Sequence, residues 1–460
     1  MHGAVAMGSD AGGIVMDSDA LFELPEQRPS QSAVKPPRIG RKRIRWAVRD
    51  QVEFQECSLD ELLPQDHEAR IVWDYACGLD LSELYASIQA VETGPGQAPA
   101  DPRVLMALWL YATLRGVGTA RELDRLCPDH LAYRWLCGGV SMNYHSLADF
   151  RVAHGDLLDR LLTEGVAVLM AEGLVTLNRV AQDGMKVRAS AGAASFSRQP
   201  TLEDALKEAE LQVQTLRAEV ESDPTATTKR QQAARQRAAA ERTERIQAAL
   251  AQLPQIAAAK KAKERDKARA STTDPEARVM KMGDGGFRPA FNVQLATATD
   301  SQFITGVDLT NSGGDQGQLL PMAQQHEERY DEAPKEMLAD GGFVKKDDFD
   351  QLARPHGGTT VYAPVMKAHD PNLDPHTPRD DDSPAVAEWR RRMATPEAKE
   401  IYKQRASTAE CVNALARNRG LQRFVVRGLR KTKAVVLWYV LAHNLMRAVA
   451  LRAAAAPETG

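Results

Sequence analysis

The sequence predicts an α+β fold with α/β character. A mixed sheet flanked by helices is preceded by an all-helical region and interrupted by a helical hairpin. Three observations predict this. Residues 58–175 carry apolar side chains at helical spacing. From residue 176 the pattern turns to short β-branched and alternating runs with helical stretches between them. From 202 to 272 that second pattern is broken by Ala, Gln, Glu, Arg and Lys. At 460 residues the chain exceeds one small domain. Its 43% apolar and 26% charged residues exclude collagen, a disulfide scaffold and wholesale disorder.

The elements follow in order. Residues 1–45 lack periodicity and read as a disordered tail with a basic end, from Lys35 through Arg38, Arg41, Lys42, Arg43 and Arg45. Such a cluster either grips phosphates by counterion release or is simply solvated. Residues 46–175 are expected to form a helical DNA-binding domain. Asp101-Pro102 starts a helix whose apolar face is Val104, Leu105, Leu108, Trp109 and Tyr111, and Gly116 and Gly118 end it. Thr119 caps ARELDRLC, and Pro128-Asp129 is expected to open HLAYRWLC. That is the outline of a helix-turn-helix, although any helical bundle contains such corners. Residues 202–272 read as two antiparallel helices broken at Asp223-Pro224, ending in Lys260, Lys261, Lys263, Arg265, Lys267 and Arg269. This insertion is either a solvated structural element or a DNA-binding arm.

The remaining segments, 176–201 and 273–452, are expected to build the core. Asn178–Gln182 is a strand expected to end at Asp183-Gly184 and to resume at Met185–Val187. Ala290–Thr299 and Phe303–Leu309 form a hairpin around Asp300-Ser301. Then come a helix over 316–330, a strand over 335–339 closed by Asp340-Gly341-Gly342, and a helix over 347–353. A strand over 359–363 is stopped by Pro364. A charged region with Asp380-Asp381-Asp382 follows, then a helix over 400–418. Residues 453–460 read as a second disordered tail.

Several function classes are excluded. Cysteines 57, 77, 127, 137 and 411 form no C-x-x-C pair, so neither a zinc site nor a disulfide framework is expected, and a reducing cytoplasm is. Cys127 and Cys137 read as buried fillers. No run of about 18 apolar residues exists, the longest being Ala434–Ala442, and the first residues lack a signal-peptide pattern, so no membrane partner is expected. The net charge of −3 excludes a uniformly basic coat, and 5% aromatic residues leave few base-stacking platforms. Ser190 and Ser195 have no histidine at a supporting spacing. His145 and His154 flank Asp149 but are expected at helical core or cap positions.

Three acids stand where the strand order brings them together: Asp183 in the first strand, Asp340 at the end of the fourth, Glu410 on the last helix. In a ribonuclease-H-like arrangement the first and fourth strands are neighbours, and the helix after the fifth lays a carboxylate beside their ends. Three carboxylates at one sheet edge repel unless divalent cations lie between them, and oxygen ligands suit Mg²⁺ or Mn²⁺. Two such ions, about 3.5–4 Å apart, can hold the attacking and leaving oxygens of a phosphoryl displacement. Singly, each acid has an ordinary reading: Asp-Gly is a common turn, and Glu410 a helix-surface glutamate.

The motifs around these acids resemble those of DDE transposases from bacterial insertion sequences. RVAQDGMKVRAS resembles their first catalytic strand, FRPAFNVQLATATD their hairpin with its Asn-x-Gln, and MLADGGF their second-Asp motif. Tyr402, Arg405, Glu410 and Arg417 resemble the tyrosine–arginine–glutamate–lysine signature, followed by Arg423-Phe424 and Arg427-Gly428-Leu429. LAHNLMR is similar to the closing helix, and the helical region with HSLADFR is similar to an InsH-type N-terminal domain. The nearest group is that of insertion sequence eleven-eighty-two.

The resemblance implies that Asp183, Asp340 and Glu410 are catalytic and bind two Mg²⁺ or Mn²⁺ ions. It implies DNA-binding roles for Lys186, Tyr402, Arg405, Arg417, Arg423 and Arg427. The activity implied is cleavage of element-end DNA and its joining to target DNA, by hydrolysis and then transesterification. The partner implied is double-stranded DNA, at terminal inverted repeats and target, with a homodimer on DNA and a place at the nucleoid of a bacterial cytoplasm. Two departures stand out. The spacing from Arg405 to Glu410 is one residue longer than the commonest form of the signature, and Arg417 stands where lysine is usual. Strand alternation puts Lys186 on the face opposite Asp183. An inactive DNA-binding relic, a metal-dependent nuclease of the same fold that does not join strands, and a helical scaffold assembled through the 202–272 hairpin are the rival readings.

Overall fold

The computed structural model describes residues 58–90, 98–222, 229–354, 358–367 and 373–456. The expected basic tail, the Asp223-Pro224 break and the last residues of the expected C-terminal tail lie outside them.

Seven helices come first: α1 (Glu68–Gly78), α2 (Ser82–Ala86), α3 (Pro102–Leu114), α4 (Ala120–Asp129), α5 (Leu131–Cys137), α6 (Tyr144–Ala153) and α7 (Gly155–Ala171). The start of α3 follows from its sequence, since the Asp101 side chain accepts a hydrogen bond from the Arg103 backbone N–H and Pro102 needs no donor there. Almost every α3 residue is buried, so it is the central helix of this region. Thr119 caps α4 as expected. The next corner differs: Pro128 sits inside the last turn of α4, and the His130 side chain caps α5. That cap accepts from the Ala132 backbone N–H, which Pro128-Asp129 leaves undone.

The strands and remaining helices are β1 (Arg179–Arg188), β2 (Phe196–Ser197), α8 (Gln199–Ser222), α9 (Lys229–Ala258), β3 (Ala270–Ser271), β4 (Arg278–Lys281), β5 (Phe287–Ala298), β6 (Ile304–Thr310), α10 (Leu319–Tyr330), β7 (Glu336–Leu338), α11 (Lys346–Leu352), β8 (Thr360–Tyr362), α12 (Pro384–Ala394), α13 (Pro396–Arg405), α14 (Cys411–Asn418) and α15 (Leu429–Ala455). The paired helices α8 and α9 enclose a small core of Leu202, Ala209, Ile246, Ala249 and Leu253. The two-residue ribbon β2–β3 closes their base.

The main sheet is mixed, in the order β4-β5-β1-β7-β8, with β6 also paired to β5. β1 is antiparallel to β5 and parallel to β7, and β7 is parallel to β8. The sequence suggests a stop at Asp183-Gly184, yet β1 runs through it unbroken. Asp183 pairs with Leu295 and Gly184 with Gln294, so the long ladder to β5 overrides the dipeptide's turn preference. Alternation along β1 and β5 then makes two different faces. Met185, Val187, Val293 and Leu295 join one apolar core with the N-terminal helices and α15. Val180, Ala296, Met322, Phe349 and Trp389 belong to a second core, with α10, α11 and α12 on it.

By length and composition α15 could cross a membrane, although its charged residues break any continuous apolar run. Of its most apolar window 67% is buried inside the protein, which is the situation of a core helix. Trp438 at its centre is fully buried and donates its indole N–H to the Arg151 carbonyl at 2.9 Å.

Candidate active site

Asp183 and Asp340 reach the same place by strand register. Ala181 pairs in parallel with Leu338; two residues further on stand Asp183, still within β1, and Asp340, just past the end of β7. Alternation keeps Asp183 on the face of Ala181. Past Leu338, β7 no longer covers the edge of β1. That edge is met instead by the segment after α14, where the Phe424 backbone N–H donates to the Arg188 carbonyl at 2.8 Å and the Arg188 N–H to the Gln422 carbonyl at 3.1 Å.

Glu410 arrives from the other side. Between α13 and α14 the helix passes through one π-helical turn, Ala406–Glu410. A π-turn takes up one extra residue without breaking the helix, and such turns favour functional sites. It accounts physically for the long Arg405-to-Glu410 spacing. Thr408, Ala409, Val412 and Asn413 are buried beneath this turn and anchor it against both cores.

Arg405 sits at the centre. It donates from Nη2 to Asp183 Oδ1 at 3.0 Å and from Nη1 to Glu410 Oε1 at 2.9 Å. Asn413 Nδ2 donates to the second Asp183 oxygen at 2.8 Å, so both carboxylate oxygens are occupied. The side chains of Arg405 and Asp183 are 11% and 19% exposed, whereas Glu410 is open to solvent and so is Asp340. Burial pushes the Asp183 carboxyl above its ordinary range, and Arg405, the Gly184 backbone N–H and Asn413 pull against it without prevailing. Arg405 is held more firmly charged than usual: its burial is outweighed by Asp183, Tyr402, Asp340 and Glu410. Tyr402, one helical turn before Arg405, has its phenol raised by burial and by the charges of Asp340 and Glu410. Two of the acids, Asp183 and Glu410, therefore share one guanidinium, and the charge of Asp340 acts on it without a direct bond.

The remaining residues divide into two groups. Glu410, Asn413 and Arg417 share one helix face at spacings of three and four. Arg417, Arg423 and Arg427 are exposed cations following the site in sequence, and Arg423 forms the bridge to Arg188 at the end of β1. Lys186 does not join them: it pairs with Asn292 on the opposite face of β1. His145 is exposed in the first turn of α6, which Asn143 caps, whereas half-buried His154 stands at the expected cap position, C-cap of α6 and N-cap of α7, without a side-chain cap bond. Sequence reasoning missed Asn413, whose only signal was its place three residues after Glu410.

Among the described residues no three His, Cys, Asp or Glu side chains are close enough to share a metal ion. The physical reason is Arg405, which fills the space between Asp183 and Glu410. The donor chemistry nevertheless fits a hard divalent cation. The set is all oxygen, and Asn413 Oδ1 beside it is buried without a partner.

Two family models match the chain. One, described as Transposase DDE domain, covers residues 376–449, and with them Tyr402, Arg405, Glu410 and Arg417. The other, described as Transposase domain (DUF772), covers residues 57–153, the first six helices. No curated protein and no solved structure matched. The two matches support an enzyme that acts on DNA. By them the chain is similar to DDE-type transposases of insertion sequences, which generally use divalent metal ions.

Proposed function

We propose that this chain is a transposase that cuts the ends of its element and joins them to target DNA in a ribonuclease-H-like core whose catalytic acids are Asp183, Asp340 and Glu410. The observation that carries this reading is that Arg405 bonds both Asp183, in the middle of β1, and Glu410, on the π-turn, while Asp340 stands two residues past the β7 partner of Ala181. Residues 176–201 and 273–452 are read as that core, 46–175 as a DNA-binding domain and 202–272 as an insertion. The element belongs, on this reading, to the insertion sequence eleven-eighty-two group.

Two Mg²⁺ or Mn²⁺ ions held by the three carboxylates would supply Lewis acidity for water activation and for the leaving oxygen. The chain's own residues do the rest. Asp183 offers its carboxylate only once Arg405 lets go, so the guanidinium acts as a resident cation that keeps the acids from repelling one another. Once released it is free to meet a DNA phosphate through its planar fork. Asn413 keeps hold of the second Asp183 oxygen and fixes its orientation. Tyr402 packs beside Arg405. Arg417, Arg423 and Arg427 bind backbone phosphates on and around the segment that covers the end of β1, while Lys186, on the other face, serves DNA only away from the acids. A homodimer on DNA would hold two terminal inverted repeats for one joining event, within a bacterial cytoplasm at the nucleoid.

The test is cleavage and strand transfer on the native element ends with Mg²⁺, wild type beside Asp183→Asn and Asp340→Asn. Cut and joined product from the wild type alone is expected. Cutting without joining favours a nuclease, and no cutting at all a relic. Activity surviving in Asp340→Asn removes the proposed site and leaves the scaffold reading.

A further inference from the structure

The back of the catalytic strand carries a polar network that the reaction does not use. Gln182, Asn292 and Gln294 are all completely buried on the face of the sheet opposite Asp183. Asp315, in the loop between β6 and α10, accepts from Asn292 Nδ2 at 2.6 Å and from Gln294 Nε2 at 2.7 Å, both on its Oδ1. Gln182 Nε2 donates to Gln294 Oε1 at 3.1 Å and to the Gln318 carbonyl at 3.0 Å. The loop is thereby tied to the residues on both sides of Asp183. At Gly184 the approach is so close that a Cβ would overlap the Asp315 carboxylate and stand 2.7 Å from Gln294 Nε2. Gly184 thus serves close packing rather than a turn.

We propose that Asp315 is a positioning residue, which clamps the loop onto Gly184 from behind and so fixes where Asp183 presents its carboxylate. Two features argue against a purely stabilising role. Gln182 Oε1 and Asn292 Oδ1 are buried without partners, a desolvation cost that aliphatic side chains would avoid. The other face of the same two strands is mainly apolar, through Met185, Val187, Phe291, Val293 and Leu295, and its one such orphan is Thr297 Oγ1. The clamp also answers a need of the front face. Asp183 is held there by Arg405 and Asn413, and the proposed reaction requires Arg405 to leave. What then keeps the strand in place is the network behind it.

This inference rests on the proposed metal-binding role of Asp183, and its test separates the two. The full chain is titrated with Mn²⁺, and binding, thermal melting and affinity for a plain DNA duplex are read for wild type, Asp183→Asn, Asp315→Ala, Asp315→Asn and Gly184→Ala. Loss of an orienting partner behind a metal ligand costs about 10- to 100-fold in metal affinity. That loss is expected for Asp315→Ala, with duplex affinity unchanged. Asp315→Asn, which keeps an acceptor oxygen, is expected to restore most of it. Gly184→Ala should show the same loss, and the double variant Gly184→Ala with Asp315→Ala no more than either alone. Wild-type Mn²⁺ affinity in folded Asp315→Ala overturns the proposal. So does a loss that Asp315→Asn does not repair and that tracks the melting temperature. If Asp315→Ala fails to fold, unchanged Mn²⁺ affinity in Gly184→Ala overturns it equally. Should Asp183→Asn bind Mn²⁺ as the wild type does, the reading of the site itself has failed instead.

Discussion

The two faces of β1 and β5 solve opposite problems with neighbouring residues. On the front, Asp183 stands in a mainly apolar face that continues through Met185, Val187, Val293 and Leu295, and its charge is met by the long cationic side chain of Arg405. On the back, Gln182, Gln294, Asn292 and Asp315 form a fixed, buried network. A long arginine side chain can exchange partners, whereas the half-buried Asp315 carboxylate, held by two fully buried amides, can do so only by leaving those amides unpaired. The difference teaches which side of the strand is built for exchange and which for constancy.

The largest effect should come from removing the front face's charge. Asp183→Asn and Asp340→Asn are expected to lower cleavage of element ends by roughly a thousandfold or more while leaving duplex binding near wild type. Gel-shift and cleavage assays on the same preparations check both halves. Next in size is Asn413→Ala, expected to weaken Mn²⁺ binding or cleavage by about 10- to 100-fold.

The Asn413 change should also move the acid limb of the pH–rate profile. Burial raises the Asp183 carboxyl, so the ionised form the site needs is present above that raised value and lost as pH falls through it, earlier than for an ordinary aspartate. Asn413 pulls that value down, so removing it should shift the limb to still higher pH. The stability linkage has the opposite sign: a carboxyl raised by folding opposes folding most above its folded pKa, and the cost fades as pH falls through it. A limb that does not move in Asn413→Ala contradicts the assigned contact.

A smaller and inverse effect is expected for Arg405→Met. With the resident cation gone, Mn²⁺ should bind more tightly, by about tenfold if the lost competition amounts to about 1.4 kcal/mol, while cleavage slows. Electron paramagnetic resonance of free Mn²⁺ measures it, and weaker binding would mean that Arg405 supports the ion rather than competing with it. Smallest are Arg423→Ala and Arg427→Ala. Each should reduce the slope of log affinity against log salt by about 1, without changing sequence preference.

Much of this was legible in the sequence, and for a physical reason. The core strands follow from alternation and from turn residues such as Asp300-Ser301, whereas the expectation that positions 183, 340 and 410 approach one edge came from a ribonuclease-H-like arrangement of those strands. Less was legible where tertiary pairing overrides local preference. Asp183-Gly184 looks like a turn, and only the ladder to β5 makes it the middle of a strand. The hairpin strand β4 was missed because Arg278–Lys281 is short and its Gly-rich turn carries no alternating run. Helix α12 was hidden in a charged stretch, although Ser383 caps it and Trp389 buries its inner face. The π-turn left a trace, the extra residue before Glu410, but spacing alone cannot say how a helix takes it up. Asp315 and the roles of Asn292 and Gln294 had no local signal, since their partners lie more than 20 residues apart.

The central claim is that Asp183, Asp340 and Glu410 hold divalent ions together, and iron-directed backbone cleavage tests it most directly. Fe²⁺ replaces Mg²⁺ in the full chain, ascorbate and peroxide are added, and the fragments are mapped. Cuts clustered beside residues 183, 340 and 410, suppressed by excess Mg²⁺ and absent from Asp183→Asn, are the predicted result. Cuts missing from any one of the three positions, or persisting unchanged in Asp183→Asn, would contradict it.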